Sequence, residues 1–199
     1  ALKASSFAIE APRQRGIMSR ALVDCLADED PLVRDGFAFA GISALLRADA
    51  LNAGQKRALM NDLYEALDAP ADDAGVRRPF AALALSEVAR ADRVAAFLKD
   101  KERARMIAKA TAYLASVSDY RGFDDQEGWR HGVAHGADWL MQLALNPKVD
   151  RAGLELIVAA VAKQAAPSTN SYIFGEGERL ARPVLFAARR PELSDYDWS

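Results

Sequence analysis

Asp30-Pro31-Leu32-Val33-Arg34 leading into Phe37, and Asp73-Ala74-Gly75-Val76-Arg77 leading into Phe80, are the stretches that decide the fold. Each places an aspartate, a short turn and an arginine in front of an apolar run with helical spacing, and the two arginines stand 43 residues apart. Asp119-Tyr120-Arg121 with Phe123 repeats the theme 44 residues further on, its helix delayed to about Gly128.

A repeat of ~40–47 residues holding two helices is the spacing of HEAT and armadillo solenoids, where each pair buries its apolar face by stacking on the next. In that reading the aspartate caps the incoming helix. The arginine, at 34 and at 77 alike, reaches an aspartate or a helix-end carbonyl of a neighbouring unit.

Working outward, apolar residues recur at spacings of three and four through most of the chain, with few alternating β-branched runs. The expectation is an all-α protein with no sheet: helices at Gln14–Ala27, Leu32–Leu46, Ala53–Leu67, Val76–Ala91, Ala95–Asp100, Glu102–Val117, Gly128–Leu145, Arg151–Lys163 and Glu176–Ala188. Asp-, Asn-, Pro- and Gly-rich stretches punctuate them. The whole, residues 1–199, reads as one domain, an α-α superhelix with units near 14–67, 68–117, 118–163 and 164–190. Residues 168–175 read as an ordered polar and aromatic loop, and both ends of the chain as extended arms.

At 199 residues such a domain buries its own core without a disulfide or structural metal. The formal net charge of −2 removes the cationic footprint of a nucleic-acid binder. The one cysteine, Cys25, has apolar neighbours, reads as a small buried side chain and has no internal disulfide partner. No stretch approaches the ~20 apolar residues that span a bilayer. The first residue is Ala1, which suits an exported (periplasmic) protein after leader removal and a trimmed cytoplasmic one equally.

Chemistry concentrates between Arg121 and Asp138, which hold both histidines and Trp129, with Trp139 next. On a helix beginning at Gly128, His131, His135 and Asp138 fall on one stripe, the imidazoles one turn apart and close enough to share a metal or an anion. For zinc a third ligand is needed, and Asp138, Glu176 and Glu178 are the candidates. Gly132 stands where a metalloprotease helix carries its glutamate base, so that motif fails, and no cofactor is favoured. Arg121, Trp129, Glu176 and Arg179 are the further candidates for a pocket that takes a protein, a peptide or a small polar ligand such as a sugar or anionic metabolite. No G-x-S-x-G elbow, G-x-G-x-x-G turn or P-loop is present.

The elements Asp30 to Gly36, Arg78 to Leu83, Arg121-Gly122-Phe123, Gly128 to Asp138 and Gly175 to Leu180 resemble a bacterial family known as domain of unknown function 2785, over about Leu22 to Phe186. The resemblance implies one helical domain and the same polar cluster, some relatives bearing an export signal, and it supplies no reaction. Two functions follow as expectations. The first is a non-enzymatic binding or scaffold module with a concave site around His131–Asp138. The other is a hydrolase, metal-dependent or using a histidine base, acting on an anionic or glycan substrate.

Overall fold

The computed structural model describes residues 7–165, 170–196 and 198. The chain is mostly helical: α1 (Pro12–Asp24), α2 (Pro31–Val33), α3 (Ala40–Arg47), α4 (Ala53–Asp68), α5 (Arg77–Val94), α6 (Asp100–Ser116), α7 (Gly132–Ala144), α8 (Arg151–Ala165) and α9 (Glu176–Ala188). Helix α2 runs into α3 through a π-helical turn, Arg34–Phe39, and one two-residue hairpin, β1 (Phe123–Asp124) and β2 (Gly128–Trp129), interrupts the helices.

Alternate helices pack side by side. Helices α3, α5, α7 and α9 form one row, in which α5 meets α7 and α7 meets α9 most extensively. Helices α1 and α4 pack together, as do α6 and α8. Between those two pairs, Arg57 on α4 bonds Glu102 on α6 at 2.8 Å, and Lys109 on α6 bonds Asp68 on α4 at 2.7 Å. Within each successive pair, α4 lies on α5, α6 on α7 and α8 on α9. Leu59, Leu63, Leu85, Met106, Leu114, Leu140 and Trp139 fill the space between the rows, each fully buried. The Trp139 ring is therefore core and offers no ligand surface.

Local signals account for several of these elements. Asn52 and Gln55 close a capping box at the start of α4. Asp30 accepts from the Leu32 N–H at 2.8 Å and caps α2 as expected. At α5 the cap is Asp72, one residue before the expected aspartate, which accepts from Val76 and Arg77 N–H groups. The expected helix at Ala95–Asp100 is absent before Asp100. Buried Asp92 accepts from the backbone N–H groups of Phe97 (3.0 Å) and Leu98 (2.8 Å), and those bonds hold the chain in a turn.

The arginine ladder exists with different rungs. Arg34 is fully buried and reaches the carbonyls of Asp28, Glu29 and Glu127 at 3.2, 3.2 and 2.8 Å. Arg77, its expected equivalent, borders an open cleft beside Arg20 and Asp62, and its guanidinium bonds to none of the described residues. The neighbouring Arg78 takes the expected place, its Nε donating to the Leu67 carbonyl at the end of α4 (3.0 Å). Arg190 does the same at the end of α7, donating to the Ala144 and Asn146 carbonyls. A buried guanidinium satisfies several helix-end carbonyls at once, so the register of stacking depends on where its stem leaves the helix, and one residue changes that direction by about 100°.

At the chain ends, Phe7 is buried against Phe37, and a short 3₁₀ turn, Pro191–Leu193, buries Leu193, so both ends lie on the body where they are described. Cys25 is half-buried and free. Of the expected loop 168–175, residues 168 and 169 lie outside the described residues. Tyr172 Oη, farther along it, donates to the Gln164 carbonyl at 2.6 Å.

Candidate functional site

The sequence places Gly128 at the start of a helix, and the structure starts that helix at Gly132. The reason is turn chemistry. Asp124 Oδ1 accepts from the Gln126 and Glu127 N–H groups at 2.8 and 3.0 Å, and Gly128 adopts φ +72°, which together fold a tight hairpin. Arg34 pins the hairpin from beneath through the Glu127 carbonyl, while Arg130 donates to the Ala74 carbonyl and pairs with Glu127.

The hairpin presents Trp129 and delivers the chain to His131, the residue before α7, in the left-handed conformation at φ 55° and ψ 37°. For a residue with a Cβ that costs about 1–2 kcal/mol. Strain of this kind collects at functional sites.

From here the site assembles on the α3–α5–α7–α9 row. A cleft of about 570 Å³ is bordered by Trp129, His131, His135, Asp138 and Arg179, five of the seven candidates, within the size of small-molecule pockets. Phe80 and Leu83 of α5, Phe174, and Glu178 and Arg182 of α9 complete it with Asp35 and Phe39. Trp129 packs against His131 with ring centres 4.5 Å apart and planes tilted by 46°, His131 meets His135 edge-on at 5.8 Å, and Phe174 meets Trp129 edge-on at 6.0 Å.

Two candidates lie elsewhere. Arg121 turns away, paired with Asp119 at 2.5 Å and packed beside Gly75, which borders a separate pocket of about 140 Å³. Glu176 is 4 % exposed and stands behind His131 rather than in the cleft. Its Oε2 accepts from the Phe174 N–H at 2.9 Å, and its Oε1 lies 3.8 Å from His131 Nδ1, an atom sealed from solvent without a hydrogen-bond partner.

The sequence reading missed Asp35 and Phe39, four residues apart on the π-helical turn, and Phe80 and Leu83 from α5. None bears a motif, and only the π turn, a recurrent feature of functional sites, distinguishes the first two. Gly132 and Gly136 let the Tyr113 and Leu114 side chains of α6 pack closely on α7.

Both imidazoles are neutral at ordinary pH. Burial, the larger effect, and the neighbouring His131 push His135 down to about 3, and its Nδ1 lies 3.2 Å from the Pro79 carbonyl. A carbonyl only accepts, so Nδ1 carries the proton and Nε2 is left as an acceptor. Burial also lowers His131, against a smaller upward pull from Glu176. Asp35 is raised by burial, opposed by the Arg34 guanidinium at 3.1 Å.

A linkage prediction follows from His135. Above about pH 6.5 neither the folded nor the unfolded imidazole is charged, and below it only the unfolded one gains a proton. Stability should therefore fall by about 2 kcal/mol between pH 7 and 5 on this residue's account. Urea unfolding at the two pH values measures the loss. His135→Asn, which retains a donor for the Pro79 carbonyl and does not titrate, should remove most of it; an unchanged loss would rule out a buried neutral His135.

A metal finds little support in the donor set. Among the described residues no three His, Cys, Asp or Glu side chains converge as a cation site. Asp138 pairs with Arg179, and Glu176 is turned to the Phe174 N–H and His131.

The fold and the cleft define a helical protein with an aromatic and polar pocket, and comparison places it in a family. A family model described as Protein of unknown function (DUF2785) matches residues 63–199, and the chain belongs to that family. The match takes in the hairpin, α7 and α9 and begins after the Asp30 to Gly36 element, so Asp35 and Phe39 enter the cleft from outside it. No curated protein and no solved structure matches the chain.

Proposed function

We propose that the two rows of helices are a short α-α superhelix of the HEAT type, and that the protein is a binding module using the cleft at His131 for a small polar ligand or a protein loop. Support for the superhelix is the α3–α5–α7–α9 row, in which each helix lies beside the second one along the chain, with α8 beside α6 on the other layer. The observation that carries the function is convergence: a hairpin, α7 and α9 bring Trp129, His131, His135, Asp138 and Arg179 to one cleft, at the expense of a left-handed histidine. Left-handed backbone occurs at Phe7 and Asp49 as well, so the convergence of side chains supports the reading more than the strain does.

A hydrolase is the second reading, and one feature favours it. His131 is a neutral imidazole with a buried carboxylate, Glu176, 3.8 Å from its Nδ1, and closing that gap by less than about 1 Å would give the hydrogen bond through which a carboxylate orients a histidine base. Neither reading calls for nucleic acid, and no helix is long and apolar enough to cross a membrane among the described residues.

A thermal-shift screen of metabolites and short peptides against the wild type and His131→Ala tests the site. A ligand at 100 times its Kd stabilises the folded state by about 2.7 kcal/mol. The shift should vanish in His131→Ala and weaken in Arg179→Ala. Hits whose shifts survive both substitutions would place binding elsewhere.

A further inference from the structure

Charge and hydrogen-bond polarity narrow the ligand, on the reading that the cleft is a binding site. Every formal charge bordering it is already matched: Arg179 pairs with Asp138, Arg182 with Glu178 at 2.6 Å, and Asp35 with the buried Arg34 at 3.1 Å. An anionic ligand would have to share Arg179 or Arg182 with the carboxylate already paired to it, and would feel that carboxylate's repulsion. It would also meet Glu178 in the first turn of α9, where a carboxylate already complements the helix dipole. A cationic ligand would meet two guanidinium groups, Arg179 and Arg182, and find no unpaired carboxylate.

The floor is an acceptor surface. His135 Nδ1 donates to the Pro79 carbonyl, which leaves Nε2 as a lone pair. In His131 the nitrogen sealed from solvent is Nδ1, 3.8 Å from Glu176, so Nε2 is the atom left toward the cleft, while the acceptor role is set by a bond only in His135. The rim donates. Arg179 and Arg182 each remain 39 % exposed, and one ion pair leaves part of a guanidinium's five N–H groups free. The mouth is apolar, formed by the rings of Trp129 at 38 % and Phe174 at 36 % exposure, set edge to face at 85°. Phe174 is held in place because its ring fills the space over Gly122 where any side chain would sit, and because Glu176 binds its N–H.

We propose that the cleft binds an uncharged carbohydrate, one sugar face stacked on Trp129 and its hydroxyl groups bonded to His135 Nε2 and to Arg179. A hydroxyl group donates and accepts, so one ligand satisfies the acceptor floor and the donor rim without disturbing an ion pair. The C–H bonds of a pyranose face carry partial positive charge that suits the negative face of the indole ring. A protein loop would supply amides in place of hydroxyls and lacks a rigid C–H face for Trp129.

The experiment is calorimetric titration of the full chain with maltotriose, cellotriose and N,N′,N″-triacetylchitotriose at millimolar concentration, with phosphate, citrate and a spermidine control alongside. At least one neutral sugar should bind, and Trp129→Ala should weaken it about tenfold with Trp129→Phe recovering part of the loss. His135→Phe, which removes the lone pair, should weaken the same sugar while circular dichroism confirms an intact fold. Binding of phosphate, citrate or spermidine that depends on His131, with no sugar bound, would overturn the carbohydrate proposal and leave the binding cleft standing. Sugar binding indifferent to Trp129 and His135 would overturn it as well, as would silence from all three sugars.

Discussion

Arg34→Ala is expected to lower stability by about 3–5 kcal/mol, a large part of what a domain of this size possesses. The side chain is fully buried and its guanidinium donates to carbonyls of Asp28, Glu29 and Glu127 and to the Asp35 carboxylate, while its face covers the Phe80 ring at 4.8 Å. Alanine would strand those acceptors, open a cavity beneath the hairpin and leave Asp35 without its partner. Because Glu127 lies between β1 and β2, the loss should also loosen Trp129 and weaken any ligand of the cleft. Arg77→Ala is the matched control and should stay within about 0.5 kcal/mol, since that guanidinium bonds to no described residue. Urea unfolding of the two variants measures both, and comparable losses would contradict the assignment of Arg34 as the buried tie.

Asp92→Ala is expected to rank beside it, at about 3–5 kcal/mol. Its Oδ1 accepts from the Phe97 and Leu98 N–H groups, and its Oδ2 from Arg103 Nε and Asn146 Nδ2, both at 2.9 Å. Burial pushes the carboxyl up, and the bonds from Arg103, Leu98 and Phe97 outweigh it, so the net direction is down. Arg103, at 2 % exposure, would be left a buried charge without its main partner. The damage should centre on the α5–α6 turn and the end of α7, visible as accelerated amide exchange at residues 95–99. A loss below about 1 kcal/mol would mean that water replaces the carboxylate, which the burial of Leu98, Arg103 and Asn146 argues against.

Much of the helical order was legible because it depends on local period. Glu176–Ala188 has the expected bounds, and α1, α4, α6 and α8 differ from expectation by a few residues at their ends. What failed depended on contacts distant in sequence or on turns that compete with helix. Asp92 draws residues 95–99 out of the helical pattern, and Asp124 with Gly128 folds a hairpin where the apolar period suggested a longer α7. The Asp-Asp-Gln-Glu-Gly stretch was the available signal for that hairpin. Arg78 replaced Arg77 as the carbonyl donor because the ladder is set by side-chain direction, which a 43-residue spacing does not encode.

The cleft was legible where its residues share a helix and obscure where they do not. His131, His135 and Asp138 do share one side of α7, although His131 stands at its threshold rather than in its first turn. Arg179 came from residue type alone. Arg121 lies apart from the cleft because its bond to Asp119 draws it away, and Glu176 stands one layer back. Asp35, Phe39, Phe80 and Leu83 arrive through the packing of α3 and α5 on α7, which no pattern in those segments announces.

The central claim is that His131 and His135 form the neutral, acceptor-bearing floor of a ligand cleft, and the chain contains only these two histidines. Imidazole ¹⁵N–¹H spectra of histidine-labelled protein, recorded from pH 7 down to 5 and then with a bound ligand, address it directly. The account predicts a neutral His135 protonated on Nδ1 throughout that range, a His131 that titrates below its usual value, and perturbation of both Nε2 resonances on binding. Two imidazoles that titrate together near pH 6.5 and ignore the ligand would contradict it.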